Sequence, residues 1–506
     1  MNTKKQPQRK KEIDLKPLNM NTRQRKKFKQ IFREKNEEKA FQLFKEECSG
    51  FEMLNKNAAG IDIASEENWI ALPEDRAKTN VYRFGATTPE LLKIRDILLK
   101  NGITTVAMES TGVYWICLYD ILEEAGIEVY LVNASQLKSV SGRPKTDQLD
   151  CRWIQRLHTY GLLNNSFRPD ACYVEIRSLA RYRQKLIEDE STHVLRMGKA
   201  LTEMNVLLGK AVSDITGVTG LRIINAILAG ERDPHVLATH RDPRCKHTEA
   251  EIAEYLTGLY KEEQLLILKI SLSLYQSISQ QVLKLDAQLN RLFKALEKIT
   301  KASSKQKKEN SKAKNAHIKK DHNAPDIDVY TYSYELTGVD LSQIPGFSFS
   351  VILGAIAEVG TDMSHWQSSG HFRSWLGLSP KPKISGGQKH GQTKLNQSRA
   401  ALHFRLGAAA LSRSNTYLGD FYRRMRARNC GRHAVTATAA RLATIYYEMV
   451  KHKKEYKGID PQMYKKIMEE RNYKSILRRA KQCGFKLVPE NEQARSIVEI
   501  SESLAQ

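Results

Sequence analysis

The sequence lacks the features of membrane-spanning and disulfide-bonded proteins. No apolar run approaches the roughly 20 residues that a transmembrane helix needs, and no apolar stretch follows the charged N-terminus to make a secretory signal. The 7 cysteines are widely scattered, and none forms a Cys-x-x-Cys pair. These absences argue against an integral membrane protein and a disulfide scaffold, and they predict a reduced, cytoplasmic location.

Acidic residues are also in short supply. The 506 residues include 81 Lys and Arg but only 57 Asp and Glu, which gives a formal net charge of +24. Such an excess favours a polyanionic partner, because binding releases condensed counterions. Nucleic acid is the first candidate and an anionic membrane surface is the second. Residues 1–57 form a basic extension that is either a nucleic-acid-binding arm or a solvated tail.

A change of pattern at Ala58 marks the first expected domain, residues 58–171. The segments AAGIDI, NWIAL, VYRFGA, TTVAMEST and IEVYLVN are typical of strands. The segments TPELLKIRDILLKNG and VYWICLYDILEEAG are typical of helices that end at a glycine. Strands that alternate with helices predict an α/β layer with parallel strand pairing.

The rest of the chain is expected to be mostly helical. Residues 172–297 contain apolar positions at alternating spacings of three and four. This seam predicts either a coiled-coil arm that oligomerises the protein or a long helix packed within one chain. Residues 298–329 are Lys-rich and predict a flexible linker or a loop that contacts RNA or DNA. Residues 330–485 predict a second compact region, and residues 486–506 a tail. The seam consists of Tyr275, Ile278, Val282, Leu285, Leu289, Leu292 and Leu296.

Four acids stand out in the first domain. Asp62 lies within the apolar strand GIDIA, Glu109 ends the strand VAME, and Asp147 and Asp150 share one face of a helix that Thr146 would cap. Two carboxylates 4 Å apart repel by about 4 kcal/mol at an effective dielectric near 20. Such a cluster therefore predicts bound Mg²⁺ or Mn²⁺. Each acid also has a structural alternative. Asp62 could be a turn-facing strand residue, Glu109 could cap the turn that follows it, and Asp147 and Asp150 could be ordinary first-turn helix acids.

A second cluster lies in residues 371–405, which hold seven Lys or Arg and no acid. Within it Ser385 precedes Gly386 and Gly387, and paired glycines let a backbone approach a ligand closely. A serine hydroxyl needs a base or a metal to become a nucleophile, so composition alone favours a loop residue. The preceding LSQIPGFSF is similar to a helix-hairpin-helix turn that binds phosphate through backbone amides, or it is a packing unit.

The segments GIDIA, MESTGVYW and LVNASQLKSVSGRPKTDQLDCRW together resemble the DEDD domain of the IS110 family of insertion-sequence transposases. The resemblance implies an α/β RuvC-like (RNase H-like) domain, followed by a helical coiled-coil arm and a mostly α C-terminal transposase domain. It implies that Asp62, Glu109, Asp147 and Asp150 are the catalytic, metal-binding acids.

The segments HFRSWLGLSPKPKISGGQ and FYRRMRARNCGRHAVTATAARLATIYYEM are similar to the second domain of the same family. This similarity implies that Ser385 is the nucleophile and that the residues around it contact nucleic acid. The implied contacts are Lys381, Lys383, Gly386, Gly387, Lys389, Lys394, Arg399, Arg423, Arg424, Arg426 and Arg428. For the last four, a solvated helix face is the alternative.

The family, which is related to the pilin gene invertase, also implies a mechanism and partners. It implies a prokaryotic recombinase that cuts and rejoins DNA through a Mg²⁺-dependent phosphoserine link. No nucleotide cofactor is expected, and the sequence has no G-x-x-x-x-G-K-[ST] loop. The implied partners are donor and target DNA, a structured noncoding guide RNA, and further copies of the chain in a dimer or tetramer, with the acids of one subunit facing the serine of another.

Two other functions fit the same residues. A RuvC-like junction nuclease would cut DNA with metal-activated water and would use Ser385 only structurally. A non-catalytic nucleic-acid-binding protein would use the charge alone. A weaker cluster of His235, His240, Cys245 and His247 offers zinc-binding residue types, although the spacing matches no standard zinc finger.

Overall fold

The computed structural model describes residues 42–43, 46, 52–77, 79–110, 112–133, 147–303, 324, 327–379, 382–385, 388–392, 398–458 and 461–485. The chain divides into two compact units, Met1–Arg168 and Pro169–Gln506. The sequence predicted the boundary between the α/β domain and the helical region at 171/172, three residues later. Most of the expected linker and all of the expected tail lie outside the described residues.

The first unit is built on a five-stranded mixed sheet. Its strands are β1 (Ala58–Ile63), β2 (Glu67–Ala71), β3 (Val81–Gly85), β4 (Thr105–Glu109) and β5 (Glu128–Val132). The strand order is β3-β2-β1-β4-β5. The first three strands pair antiparallel, whereas β1 with β4 and β4 with β5 pair parallel. The predicted α/β layer is confirmed, and the mixed sheet is consistent with a RuvC-like fold.

Helices cover both faces of this sheet. They are α1 (Thr88–Lys100), α2 (Trp115–Glu124) and α3 (Asp147–Thr159). On one face, Ile61, Val106 and Met108 pack in a single core with the apolar sides of α1 and α2. The opposite face carries Gly60 and lies against α3, where a Cβ on Gly60 would stand 2.2 Å from the backbone nitrogen of Gln155. Only glycine permits α3 to lie this close to β1.

Both helix ends predicted from glycines are confirmed in the first unit. Gly102 follows the cap residue of α1 with φ of +63°, and Gly126 follows the cap residue of α2 with φ of +77°. This left-handed conformation ends a helix without the steric cost that a Cβ would add. The chain then returns directly into β4 and β5.

The second unit is mostly helical. Its helices are α4 (Ala171–Glu203), α5 (Leu208–Ala211), α6 (Val218–Leu228), α7 (Pro234–Ala238), α8 (Glu249–Leu256), α9 (Glu262–Ser303), α10 (Val329–Thr337), α11 (Phe349–Val359), α12 (Ser369–Trp375), α13 (Arg399–Ala410), α14 (Tyr417–Arg428), α15 (Gly431–His452) and α16 (Pro461–Gln482). Two short strands, β6 (Pro382–Ser385) and β7 (Gln388–Gln392), form an antiparallel hairpin between α12 and α13. The described part of this unit thus agrees with the expected helical architecture.

The long helices α4 and α9 pack antiparallel within the chain. Arg183 on α4 forms a buried ion pair with Asp286 on α9, and Ser279 on α9 donates a hydrogen bond to Glu190 on α4. The alternating seam lies on this packed side, and Tyr275 and the six further seam positions are all buried or half-buried. The long helix packed within one chain therefore accounts for the seam, and a coiled-coil arm between subunits is not confirmed.

The core of the C-terminal region is aromatic. Phe347 and Phe372 each lie about 6 Å from both Phe404 and Tyr446, ring centre to ring centre, and Phe404 lies 5.6 Å from Tyr446. The Pro-Gly turn that precedes α11 also belongs to this packing, because a Cβ on Gly346 would stand 2.5 Å from the carbonyl oxygen of Gly407. Of the two readings of that turn, the packing unit is the one that this contact favours.

Candidate active site

Asp62 and Glu109 lie side by side at the carboxyl ends of two neighbouring strands. In the parallel pairing of β1 with β4, Gly60 is opposite Ala107 and Ile61 is opposite Met108. Asp62 and Glu109 are the next positions along these two strands. Neighbouring strands lie about 4.8 Å apart, and both side chains are on the same face of the sheet as Gly60. Both residues are half-buried. The sheet thus brings two of the predicted acids together.

Helix α3 brings a third acid to the same end of the sheet. The Gln155 amide donates to the carbonyl oxygen of Ala58 at 3.2 Å, and the Cys151 carbonyl oxygen lies beside Gly60. The helix therefore runs antiparallel to β1, and its first turn reaches the end where Asp62 lies. Asp150, next to Cys151, is half-buried in that turn.

The Cys151 thiol lies close enough to Asp62 for the carboxylate charge to affect its pKa. Burial, and secondly the charge of Asp62, raise the pKa of Cys151 to about 12. The thiol accordingly stays protonated at neutral pH and donates a hydrogen bond to the carbonyl oxygen of Gln148 at 3.2 Å. Cys151 is therefore a small, buried packing residue beneath the acids.

The oxygen-only set of acids suits a hard divalent cation better than zinc. Among the side chains that the structure describes, no three His, Cys, Asp or Glu form a group that could hold a metal ion. The side chain of Asp147 lies outside them, although α3 begins at this residue as the sequence predicts. The expected N-cap, Thr146, also lies outside. Metal binding by the four acids stays a prediction.

Beneath the acids, α3 is fixed to the sheet by polar contacts that sequence reasoning missed. The Nε2 of His158 lies 2.9 Å from the hydroxyl of Thr105, the first residue of β4. Burial lowers the pKa of His158 to about 4, so the ring is neutral at pH 7. The only sequence signal for this contact surface was Gly60, since a glycine inside a strand indicates close approach of another backbone.

The predicted nucleophile lies at the end of the β6–β7 hairpin. Ser385 is the last residue of β6 and pairs with Gln388, so that Gly386 and Gly387 connect the two strands. Lys389 pairs with Ile384 on the opposite strand, and Lys383 also lies in β6. The side chains of these residues, together with Lys381, Gly386, Gly387 and Lys394, lie outside the described part, and their roles stay predictions.

The predicted arginine contacts differ in how much of each guanidinium is engaged within the protein. Arg423 pairs with Asp420 and donates to the carbonyl oxygen of Ser414 at 2.8 Å. Arg424 donates to the Tyr464 hydroxyl at 2.5 Å. By contrast, Arg426 and Arg428 are exposed at the end of α14, as is Arg399 at the start of α13. The three exposed side chains are thus the better placed for phosphate.

A buried ion cluster joins α4 to α11, and no sequence pattern had indicated it. Glu358 is buried and receives hydrogen bonds from Arg177 at 3.0 Å and from Arg181 at 2.6 Å. Burial alone would raise the pKa of Glu358, but the Arg181 hydrogen bond and the two arginine charges lower it. Arg181, Arg399 and His403 line a neighbouring cleft of about 590 Å³. Charge pairing within the protein accounts for this cluster.

The histidines and cysteine of the weaker cluster have other contacts. Cys245 lies 3.4 Å from the Thr219 hydroxyl, and His247 faces Glu251 at 3.6 Å. His235 is exposed at the start of α7. Within the described residues these groups are not gathered as metal ligands, so the structure offers no support for zinc there.

Comparison with known proteins gives two matches, and both are to transposases. Residues 59–206 match a family model described as a transposase of the DEDD, IS110 type. Residues 340–423 match a second, described as a transposase of the IS116/IS110/IS902 family. No curated protein matches the chain. No helix in the described part of the chain is both long and apolar enough to span a membrane.

Proposed function

Because this chain belongs to the IS110 family of DNA transposases, we propose that it recombines DNA through a covalent phosphoserine link. The observation that carries the proposal is that Asp62 and Glu109 follow the last paired residues of two adjacent parallel strands, with Asp150 on α3 at the same end of the sheet. Carboxylates gathered at one end of a sheet repel one another, and a bound cation would offset that repulsion.

Asp62, Glu109, Asp147 and Asp150 would hold Mg²⁺, which the chemistry of their oxygen donors fits. When bound, the ion supplies charge stabilisation for the phosphate oxygens and lowers the pKa of a nearby hydroxyl. The protein's own contribution is positional, since Gly60 lets α3 lie against β1 and so keeps its first turn beside Asp62.

Ser385 would act as the nucleophile on a DNA phosphodiester. Its Oγ attacks phosphorus and loses its proton, the bond from phosphorus to the 3′ oxygen breaks, and that oxygen takes a proton to leave as a 3′ hydroxyl. The 5′ phosphate stays on the serine. Attack by the 3′ hydroxyl of another strand reverses the step and rejoins DNA, so no nucleotide cofactor is needed.

We propose two further partners. The charge of +24 and the Lys-rich segments support a structured noncoding RNA that guides the protein to donor and target DNA. Leu266, Ile270 and Leu274 lie four residues apart on α9 and are each more than 40% exposed. An apolar stripe of this kind supports assembly into a dimer or tetramer.

The test begins with the nucleic acid that the protein carries. The protein would be purified from its native host and the bound nucleic acid sequenced, and one dominant structured RNA is expected. Duplexes that match its loops would then be incubated with the full chain and Mg²⁺. Cleavage that requires both Asp62 and Ser385 is the expected result. Cleavage that survives Ser385→Ala would favour the junction nuclease. Recovery of only random RNA would contradict the proposed guide RNA.

A further inference from the structure

A cleft of about 490 Å³ opens in the second unit between the end of α12 and the facing sides of α14 and α15. Its lining includes Arg373 from α12, Ser379 just beyond that helix, Tyr417 and Phe421 from α14, and Arg441 from α15. Thr444 and aliphatic side chains complete the wall. None of these residues belongs to the carboxylate site or to the predicted phosphate contacts, so the mechanism above leaves the cleft without a role.

The charge of the cleft selects an anion. Two arginines line it, and no acid is present among its described lining residues. The Nε of Arg373 is buried and has no hydrogen-bond partner among the described residues. A buried donor without an acceptor is unfavourable, which a ligand oxygen would correct. Arginine suits phosphate in particular, because its planar fork presents parallel donors.

The aromatic wall selects a flat ring. The Tyr417 side chain is 8% exposed, and Phe421 is half-buried beside it. The Arg441 guanidinium lies over the Phe421 ring, 5.0 Å from its centre. Aromatic rings and guanidinium planes are the surfaces on which proteins stack unpaired bases. An anionic group and a flat ring together describe a nucleotide.

The chain connects this cleft closely to the predicted nucleophile. Ser379 lines the cleft and precedes Ser385 by six residues. Six residues span at most about 20 Å when fully extended. That distance equals about six base steps of duplex DNA at roughly 3.4 Å each. A nucleotide in the cleft would therefore belong to the DNA next to the phosphate that Ser385 attacks.

We propose that this cleft, which we call the nucleotide cleft, binds one unpaired nucleotide of the DNA strand that is cut. Its base lies against Tyr417 and Phe421, and its phosphate contacts Arg373 and Arg441. Taking a base out of the stack is costly, and a pocket of this kind compensates for it. The bound base would fix the strand so that one phosphate reaches the serine. The inference rests on the proposed function and adds a substrate contact to it.

Photocrosslinking tests the proposal directly. The full chain with its copurified RNA, carrying Ser385→Ala to stop cleavage, would be bound to the duplex that the wild type cuts. 4-Thiothymidine would be placed at each position within six nucleotides of the cleavage point, and the crosslinked peptides identified by mass spectrometry. We expect one position to crosslink to the segment 417–423. The absence of a crosslink to this segment from every DNA position would overturn the proposal.

Two variants separate this contact from a structural role. Arg441 is exposed, so Arg441→Gln should fold normally and weaken binding of single-stranded DNA about tenfold. The slope of log affinity against log salt should fall by about 1, as the loss of one phosphate contact requires. Arg432→Gln, an exposed residue on the same helix, is the matched control and should change affinity less than twofold. Equal effects of the two variants would contradict the proposal.

The outcomes also distinguish the proposal from the function on which it rests. If the wild type cuts DNA with dependence on Ser385 but no base crosslinks to 417–423, the nucleotide cleft is wrong and the recombinase stands. If Ser385→Ala cuts as well as the wild type, the phosphoserine mechanism is wrong whatever the crosslinks show.

Discussion

The two predicted halves of the catalytic machinery are built in opposite ways. Asp62 and Glu109 sit on paired strands whose other face packs in an apolar core, and Asp150 lies on a helix in backbone contact with one of them. Ser385 sits at the end of a two-stranded hairpin of four and five residues in a segment rich in Lys and Arg. The acids are therefore positioned by the fold itself. An isolated hairpin is marginally stable in water, so we expect bound nucleic acid to complete the serine site.

Because the two sites are built differently, we expect some mutations to affect DNA cleavage alone and others to affect stability as well. Changes to the acids should remove chemistry without loss of fold, whereas changes beneath them should alter stability and chemistry together. In the second unit, stability should depend on the buried ion cluster and aromatic core, away from the hairpin. The four predictions below test that division.

Asp62→Asn should have the largest effect. The change keeps the size of the side chain and removes one carboxylate from the site, so DNA cleavage should fall by about 1,000-fold, or roughly 4 kcal/mol in activation free energy. The melting temperature should not fall, because the acids repel one another. The matched control is Asp96→Asn, an exposed acid on α1. Retained cleavage in Asp62→Asn would show that Asp62 is not part of the catalytic site, whereas nucleic-acid binding without cleavage in both proteins would identify a non-catalytic binding protein.

Glu358→Gln should destabilise the second unit by about 3–5 kcal/mol. The change leaves Arg177 and Arg181 without the buried carboxylate that both contact, and uncompensated buried charge is costly. Urea unfolding, followed by hydrogen exchange at α4 and α11, would measure the loss. Glu188→Gln removes an exposed ion pair with Lys185 and should cost less than about 1 kcal/mol. Equal losses would mean that the cluster is not structural.

Gly60→Ala should affect stability and cleavage together. The new methyl group would meet backbone atoms of Cys151 and Gln155 at 2.4 and 2.2 Å, so α3 must move away. We expect a loss of about 2–3 kcal/mol in the free energy of unfolding, with a fall in cleavage because Asp150 moves too. Gly85→Ala is the matched control in the same sheet, since its methyl group would meet only the flexible Glu90 side chain at 3.4 Å. Unchanged stability in Gly60→Ala would contradict this prediction, because it would mean that α3 can move away from β1 without loss of packing.

The smallest expected effect is a pH dependence from His158. Its pKa is about 4 in the folded protein and 6.5 when unfolded, so only the unfolded chain binds a proton between these values. Stability should be constant above pH 6.5 and fall as the pH falls, by about 2 kcal/mol at pH 5. His158→Gln should remove this dependence in hydrogen exchange at α3. The same slope in wild type and variant would exclude His158 as its source.

The sequence predicted the first unit better than the second for a physical reason. Period-two strands and glycine-ended helices are local signals, and parallel pairing then places Asp62 beside Glu109. By contrast, Glu358 and Arg177 are 181 residues apart, and no local pattern indicates which buried charges will meet. The seam on α9 showed the same limit, because its spacing marks an apolar side but does not say whether α4 or a second subunit covers it.

The most direct test of the account asks whether DNA becomes attached to Ser385. The full chain, its RNA and Mg²⁺ would be incubated with a duplex labelled on the 3′ side of the cleavage point, and the denatured protein analysed by gel and mass spectrometry. The account predicts a 5′ phosphate linked to the peptide that contains Ser385, absent from Ser385→Ala and from Asp62→Asn. Cleavage that releases a free 5′ phosphate, with no label on the protein and full activity in Ser385→Ala, would contradict it.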